Sequence, residues 1–262
     1  MHVIEPEEEL ALALELADVA DAITLAQFRS RDFVVETKPD RTFVTDADRA
    51  AELEIRDRLG NHRPHHVVSG EEYGEVTDGT HRWIVDPIDG TANYLRGVPV
   101  WATLIALEAH GDLVVAVVSA PALGQRWWAI RGGGAFMKRG RGRATALSVS
   151  GIASVGDAHV LTSGDAGMLA LEPGYGRLRD RAWRTRGFGD FWQHMLVAEG
   201  AAEVAIDPVG LQEYDLAAPR LVVEEAGGRF SDLAGVSTAC GGSAVSSNGL
   251  VHDEVLAILG AT

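Results

Sequence analysis

The residues in this sequence best suited to chemistry are acidic and far apart in the chain. Asp86 and Asp89 stand in the stretch Trp83-Ile84-Val85-Asp86-Pro87-Ile88-Asp89-Gly90-Thr91-Ala92-Asn93-Tyr94. The apolar residues before Asp86 read as the end of a buried strand. Pro87 lacks a donor N–H and is expected to stop that strand. Gly90 then lets the chain turn, and Thr91 can cap a short helix. Carboxylates bind hard cations such as Mg²⁺, and free N–H groups at a helix start bind phosphate. One segment could thus hold both a metal and the anion it activates. A strand followed by an Asx-type turn accounts equally well for a bare D-x-x-D-G, so the reading depends on other carboxylates reaching the same place.

Three further positions are candidates. Glu71, with Glu72, follows a strand expected at 66–69; a solvated loop is the simpler reading of this pair. Asp48 lies in Thr45-Asp46-Ala47-Asp48, which matches a capping box with Asp in place of the usual Glu. Asp215 opens a helix expected at 214–226, where the helix dipole alone favours an acid. Each has a structural explanation when taken singly. Together, Glu71, Asp86, Asp89 and Asp215 all sit at strand ends or helix starts, where loops converge in layered α/β folds. Gathered there they repel one another, and Mg²⁺ is the expected counter-ion. The metal would acidify a bound water and neutralise a phosphate ester. Thr91 and Asp48 would form a hydroxyl–carboxylate relay to that water.

The elements that must position these residues follow from periodicity. Residues 7–29 read as an amphipathic helix, 33–37 as a strand and 38–41 as a turn, and 42–44 lead into a second helix at 45–59. Strands are expected at 100–107, 113–119, 127–130, 135–137, 159–162, 183–186, 202–206, 229–231 and 244–246. Helices are expected at 190–199, 214–226 and 250–259. The run of strands between 100 and 137 without helices points to layered α and β structure rather than a plain βαβ series.

Bulk properties narrow the classes. The chain has 262 residues, enough for one large domain or two small ones. Twenty-three basic against 38 acidic residues give a net charge of −15, which disfavours nucleic acid as a partner. Cys240 is the only cysteine, which excludes an intrachain disulfide and suits a cytoplasmic location. No apolar run is long enough to span a membrane, and the acidic N-terminus does not read as a secretory signal.

The Gly70-Glu71-Glu72 tract, the Trp83–Thr91 stretch, and Tyr214-Asp215-Leu216-Ala217-Ala218 with Glu224-Glu225-Ala226-Gly227-Gly228 resemble the inositol-monophosphatase superfamily, in order and spacing, over nearly the whole chain. The resemblance implies an α+β fold, a layered α-β-α-β-α sandwich of the inositol-monophosphatase and fructose-1,6-bisphosphatase type. It implies a single phosphatase unit over 1–262, with most metal ligands in 1–140 and Asp215 with the substrate pocket in 141–262. Two to three Mg²⁺ ions are implied, the first bound by Glu71, Asp86 and the carbonyl of Ile88, the second by Asp86, Asp89 and Asp215. The N–H groups of Gly90 and Thr91 would hold the phosphate, and Thr91 with Asp48 would activate water. A homodimer acting on a small phosphorylated substrate is implied, with neither membrane nor nucleic acid as a partner. Tyr214 departs from the Trp common in that position.

Arg184-Thr185-Arg186-Gly187-Phe188-Gly189-Asp190-Phe191-Trp192 resembles the histidinol-phosphate phosphatase branch of that superfamily, particularly its actinobacterial members. By this resemblance Arg186 and Asp190 bind substrate. Histidinol phosphate carries an ammonium and an imidazole, so Asp190 or Asp207 could pair with a cation. A helix N-cap is an equal reading of Asp190. Inositol 1-phosphate is the alternative substrate, and a metal-binding regulatory protein without turnover the alternative class. The basic tract Lys138-Arg139-Gly140-Arg141-Gly142-Arg143 reads as a surface hairpin, not an RNA site. Gly132-Gly133-Gly134 is no dinucleotide fingerprint. His62, His65 and His66 lack the partners of a zinc site.

Overall fold

A computed structural model describes residues 5–38, 43–74 and 76–260. Helix α1 (Pro6–Ser30) begins on a proline and an acidic first turn, both favoured at a helix start. The hairpin β1 (Val35–Thr37) and β2 (Phe43–Thr45) follows, then α2 (Asp46–His62), opened by the Thr45–Asp48 capping box that the sequence predicts. Of the turn expected at 38–41, only Lys38 lies within the described residues.

A seven-stranded sheet comprises β3 (Val67–Gly70), β4 (His81–Asp89), β5 (Ala102–Ala109), β6 (Asp112–Ala120), β7 (Gln125–Ile130), β8 (Gly134–Arg139) and β9 (Thr145–Ala146), in that spatial order. Helix α3 (Thr91–Arg96) interrupts it after β4. Only β3 and β4 are parallel, so their carboxyl ends emerge side by side. The basic tract lies on and after β8, as a surface hairpin.

A five-stranded sheet, ordered β11-β10-β12-β14-β13, comes from the rest of the chain. Its strands are β10 (His159–Thr162), β11 (Arg184–Gly187), β12 (Val204–Asp207), β13 (Arg229–Ser231) and β14 (Ala244–Ser247). The helices between and after them are α4 (Asp165–Met168), α5 (Gly174–Arg181), α6 (Asp190–Ala198), α7 (Glu213–Glu225) and α8 (His252–Gly260). Strand β10 runs parallel to both β11 and β12. The short helices α4 and α5 are not foreseen by the sequence pattern.

The layers alternate because each sheet is apolar on both faces. Leu12, Leu16 and Ile55 of α1 and α2 pack on Trp83, Val85, Ile105 and Val115. The opposite face of the same sheet, through Ile84, Leu104 and Val118, meets Phe191 and Met195 of α6 and Leu221 of α7. Those helices also cover Leu161, Ala205 and Phe230 of the second sheet. Its far face, with Val160, Val204 and Val245, is closed by Leu178 of α5 and Val255 of α8. The expected α-β-α-β-α sandwich is thus present. Trp127 is fully buried and Trp128 half-buried.

Two local expectations about the central motif are corrected. Strand β4 does not stop at Pro87 but runs to Asp89. Asp86 pairs with Leu104 and Asp89 with Ala102, so three steps on β4 oppose two on β5. This bulge takes up Pro87, whose carbonyl accepts from Thr103 Oγ1 at 2.8 Å. Thr91 is not the cap of α3: Gly90 is, with φ +85°, and the Thr91 hydroxyl turns back to donate to Ile88 O at 3.0 Å. A left-handed backbone at that point favours glycine.

Candidate active site

The carboxyl ends of the parallel strands converge. Glu71 follows β3, Asp86 and Asp89 end β4, Ser163 follows β10, Asp190 follows β11 and Asp207 ends β12. Carboxyl ends of parallel strands are where α/β sheets bind ligands. Glu71, Asp86, Ile88, Asp89, Gly90, Thr91, Asp190 and Asp215 line one cavity of about 350 Å³, with Phe43 and Ala92 at its edge. The sequence-predicted metal ligands therefore share one wall.

Asp86 is buried and its Oδ1 accepts from the Ile88 amide at 2.9 Å, which fixes the bulge. Asp215 closes the first turn of α7 by accepting from Gln212 N at 2.7 Å. One oxygen each of Asp86, Asp89 and Asp215 lie within 4.8 Å of one another. Asp48, Glu71 and Glu72 form a second such group. Glu72, set aside as loop on sequence, thus belongs to the acidic wall; adjacency to Glu71 was its only signal.

The turn carrying Glu71 is held from behind. The Glu52 carboxylate, fully buried, accepts from Glu72 N at 2.8 Å and Tyr73 N at 3.3 Å, and pairs with Arg56 at 2.8 Å. A Cβ on Gly70 would lie 2.1 Å from Glu52 Oε1, so this approach requires glycine. Helix α3 is anchored by Tyr94, whose hydroxyl donates to Thr24 O at 2.8 Å.

The electrostatics point to a cation. Burial, then Glu71, Asp89 and Asp215, push Asp86 well above the usual carboxylate range. Burial, then Asp190 and Asp215, do the same to Asp89. Burial takes Asp48 and Asp215 up to about 7. Asp48 Oδ1 is buried without a hydrogen-bond partner, while Oδ2 accepts from Thr45 N at 2.8 Å and Thr45 Oγ1 at 2.5 Å. Lys38 Nζ reaches Glu71 and Glu72, each at 2.7 Å. The sequence pattern marks Lys38 only as part of a turn. Its burial works against its charge, yet the two carboxylates raise its pKa. An oxygen-only donor set, crowded and under-neutralised, suits a hard divalent cation.

Asp190 is not the N-cap of α6; Gly189 is, and Asp190 itself has φ +49°. Its Oδ2 accepts from Asn93 Nδ2 at 2.8 Å, reaching across to α3. Burial, then Asp207, raise it to about 6. A non-glycine residue in the left-handed region is held there by its surroundings. Arg186 is exposed on the edge strand β11, donates to Thr185 O at 2.8 Å, and lines neither this cavity nor the smaller one beside it. Thr91 lines the cavity and Asp48 belongs to the adjoining group with Glu71 and Glu72, but their described hydrogen bonds run to Ile88 and Thr45 rather than to each other.

This fold is that of a known group. The chain superposes on an inositol monophosphatase (IMPase) of Thermotoga maritima with a TM-score of 0.85 at 28% identity, over 96% of each chain. The family model for the inositol monophosphatase family matches residues 5–259, and the chain belongs to that family. It is 51% identical over 257 residues to the histidinol-phosphatase of Mycobacterium tuberculosis, covering 97% of this chain and 98% of that one. It is 47% identical to the histidinol-phosphatase of Streptomyces coelicolor, over 96% and 97% of the two chains.

Proposed function

We propose that this chain is a Mg²⁺-dependent phosphomonoesterase that hydrolyses L-histidinol phosphate to L-histidinol and inorganic phosphate. The observation that carries the reading is the pairing of a metal-type acidic wall with a second acidic niche beside it. Burial raises the pKa of both Asp190 and Asp207 there, Asp207 adds to the rise at Asp190, and no Lys or Arg is among the described residues lining that niche. A cationic leaving group fits such a niche, whereas inositol offers only hydroxyls. The two histidinol-phosphatases noted above, nearly as long as this chain and about half identical to it, support the same substrate.

In this proposal Glu71, Asp86, Asp89, Asp215 and the Ile88 carbonyl hold two to three Mg²⁺ ions. Bound metal would supply an acidified water and charge neutralisation at the phosphoryl oxygens. The chain's own groups do the rest. Gly90 and Thr91 present backbone amides to the phosphate at the start of α3. Asp48, whose raised pKa lies near the working range of a general base, would take the water's proton through the Thr91 hydroxyl. The attack is direct, without a phosphoenzyme. Asp190 faces the cation of the leaving group. Arg186 is proposed as a further substrate contact on the strength of the motif alone. A cytoplasmic homodimer completes the proposal; light scattering on the purified chain tests the dimer.

The deciding experiment compares kcat/KM for L-histidinol phosphate and myo-inositol 1-phosphate at saturating Mg²⁺. A preference for histidinol phosphate of at least roughly tenfold is expected, a difference of about 1.4 kcal/mol in transition-state binding. The reverse preference would move the chain to the inositol phosphatases of its family.

A further inference from the structure

Behind Asp190 lies a smaller cavity of about 170 Å³. It shares Asp89, Asp190 and Asp215 with the metal cavity, so the two adjoin at three carboxylates. Its inner wall is formed by Ser163, His194, Asp207 and Leu211. His194 has no part in the chemistry proposed above. It stands on α6, one turn after Asp190, and is 2% exposed.

Both imidazole nitrogens are accounted for differently. Nδ1 lies 2.7 Å from Ser246 Oγ on β14, a hydrogen bond that fixes the ring plane. Nε2 lies 4.0 Å from Asp207 Oδ2, too far for a hydrogen bond between them. Asp207 Oδ2 is itself held by Gln193 Nε2 at 3.1 Å. The two side chains therefore stand side by side on the cavity wall, oriented by separate partners. Two acceptors 4.0 Å apart can both come within hydrogen-bond distance of a single nitrogen placed between them. Burial lowers the His194 pKa to about 4, so the ring is neutral. In the tautomer whose Nδ1–H donates to Ser246, Nε2 carries a lone pair.

We propose that His194 is a specificity-determining residue: its Nε2, with Asp207 Oδ2, receives the N–H donors of the leaving group's organic cation, while Asp190 stands at the mouth of the same niche. The proposal rests on the histidinol-phosphate reading and adds a residue to it. A neutral acceptor is the suitable partner for Asp207 here. A further charge of the same sign would worsen the repulsion among Asp89, Asp190, Asp207 and Asp215, and a cation would repel the substrate. An imidazole lone pair adds a hydrogen bond without either cost.

Full-length, Mg²⁺-loaded His194→Leu and His194→Gln are compared with the unaltered protein on L-histidinol phosphate and on glycerol 2-phosphate, which has no cation. The ratio of the two kcat/KM values is expected to fall roughly tenfold in His194→Leu, mainly through KM for histidinol phosphate. His194→Gln, whose amide oxygen can accept at a similar reach, is expected to keep most of the ratio. His194→Asn, polar but shorter, replaces the leucine variant if that one does not fold, with the same loss expected. The Tm gain given by L-histidinol should shrink in parallel. An unchanged ratio, with both substrates losing alike, or an undiminished Tm gain would reduce His194 to a core histidine bonded to Ser246 and overturn the proposal. Failure of the underlying substrate reading shows separately, as absence of a histidinol-phosphate preference in the unaltered protein.

Discussion

The Asp89 carboxylate accepts a hydrogen bond from the Phe191 backbone amide at 2.7 Å, joining residues 102 positions apart in sequence. This bond ties the end of β4, in one sheet, to the start of α6, which covers the other. The left-handed backbone of Asp190 immediately precedes the donated amide. The metal wall and the proposed leaving-group niche are therefore tied to each other by this bond together with the one from Asn93 to Asp190.

Asp89→Asn is expected to lower kcat on the order of a thousandfold, about 4 kcal/mol, because a neutral amide is a poor Mg²⁺ ligand. The fold should persist, since the amide oxygen can still accept from Phe191 and one buried negative charge is gone. Steady-state kinetics with a circular-dichroism melt check both halves. Near-normal turnover in a folded variant would remove Asp89 from the metal set.

Thr91→Val should lower kcat about a hundredfold while Thr91→Ser keeps most activity, if the hydroxyl relays a proton as proposed. The bond from Thr91 Oγ1 to Ile88 O is also lost in the valine variant, so Tm is measured alongside. Equal rates for the two variants would show that the hydroxyl is not used.

Arg82 is 6% exposed and holds Glu213 and Glu108 together, bonding Glu213 through both terminal nitrogens and Glu108 at 3.0 Å. Glu213 opens α7 two residues before Asp215. Arg82→Met leaves two partly buried carboxylates without their cation and is expected to cost roughly 3 kcal/mol of stability, read as a lowered denaturant midpoint. A loss under about 1 kcal/mol would place this ion pair with ordinary surface pairs.

Stability in the absence of metal should respond to pH in a particular direction. Asp48, Asp86, Asp89 and Asp215 all titrate higher in the folded chain than in an unfolded one, two of them up to about 7. A carboxyl of this kind favours the fold while protonated. Its contribution is complete below about pH 4 and is lost as pH climbs through the folded value. Mg²⁺ binds the deprotonated form, so the Tm gain on adding Mg²⁺ should be small near about pH 5 and grow toward about pH 8. A gain that is flat across this range would mean that Asp86, Asp89 and Asp215 are not the ligands.

How much was legible depends on the range of the interaction involved. Strand β10 falls where hydrophobic patterning puts it, because burial of Val160 and Leu161 on opposite faces imposes its own apolar code. The capping box at Thr45 and Asp48 was equally readable, being local to one turn. Pro87 misled because the rule that proline ends a strand ignores the bulge that a neighbouring strand can accommodate. Asp190 looked like a cap because its backbone conformation is imposed by Asp89 and Asn93, neither of them near it in sequence. Lys38, Glu72 and His194 sent no chemical signal of their own, since each acquires its neighbours only through folding.

The sequence by itself determined the chemistry of the donor set. Spaced carboxylates after apolar strands, an Asp-Pro-Ile-Asp-Gly-Thr turn and an acid at a helix start can serve a metal and a phosphate whatever their distances turn out to be. Only the tertiary structure decided which oxygens meet, which of them are buried enough to need a cation, and what lies beyond Asp190. Those are properties of strand ends brought together from two sheets, and desolvation and Coulomb repulsion depend on ångströms that no spacing in the chain encodes.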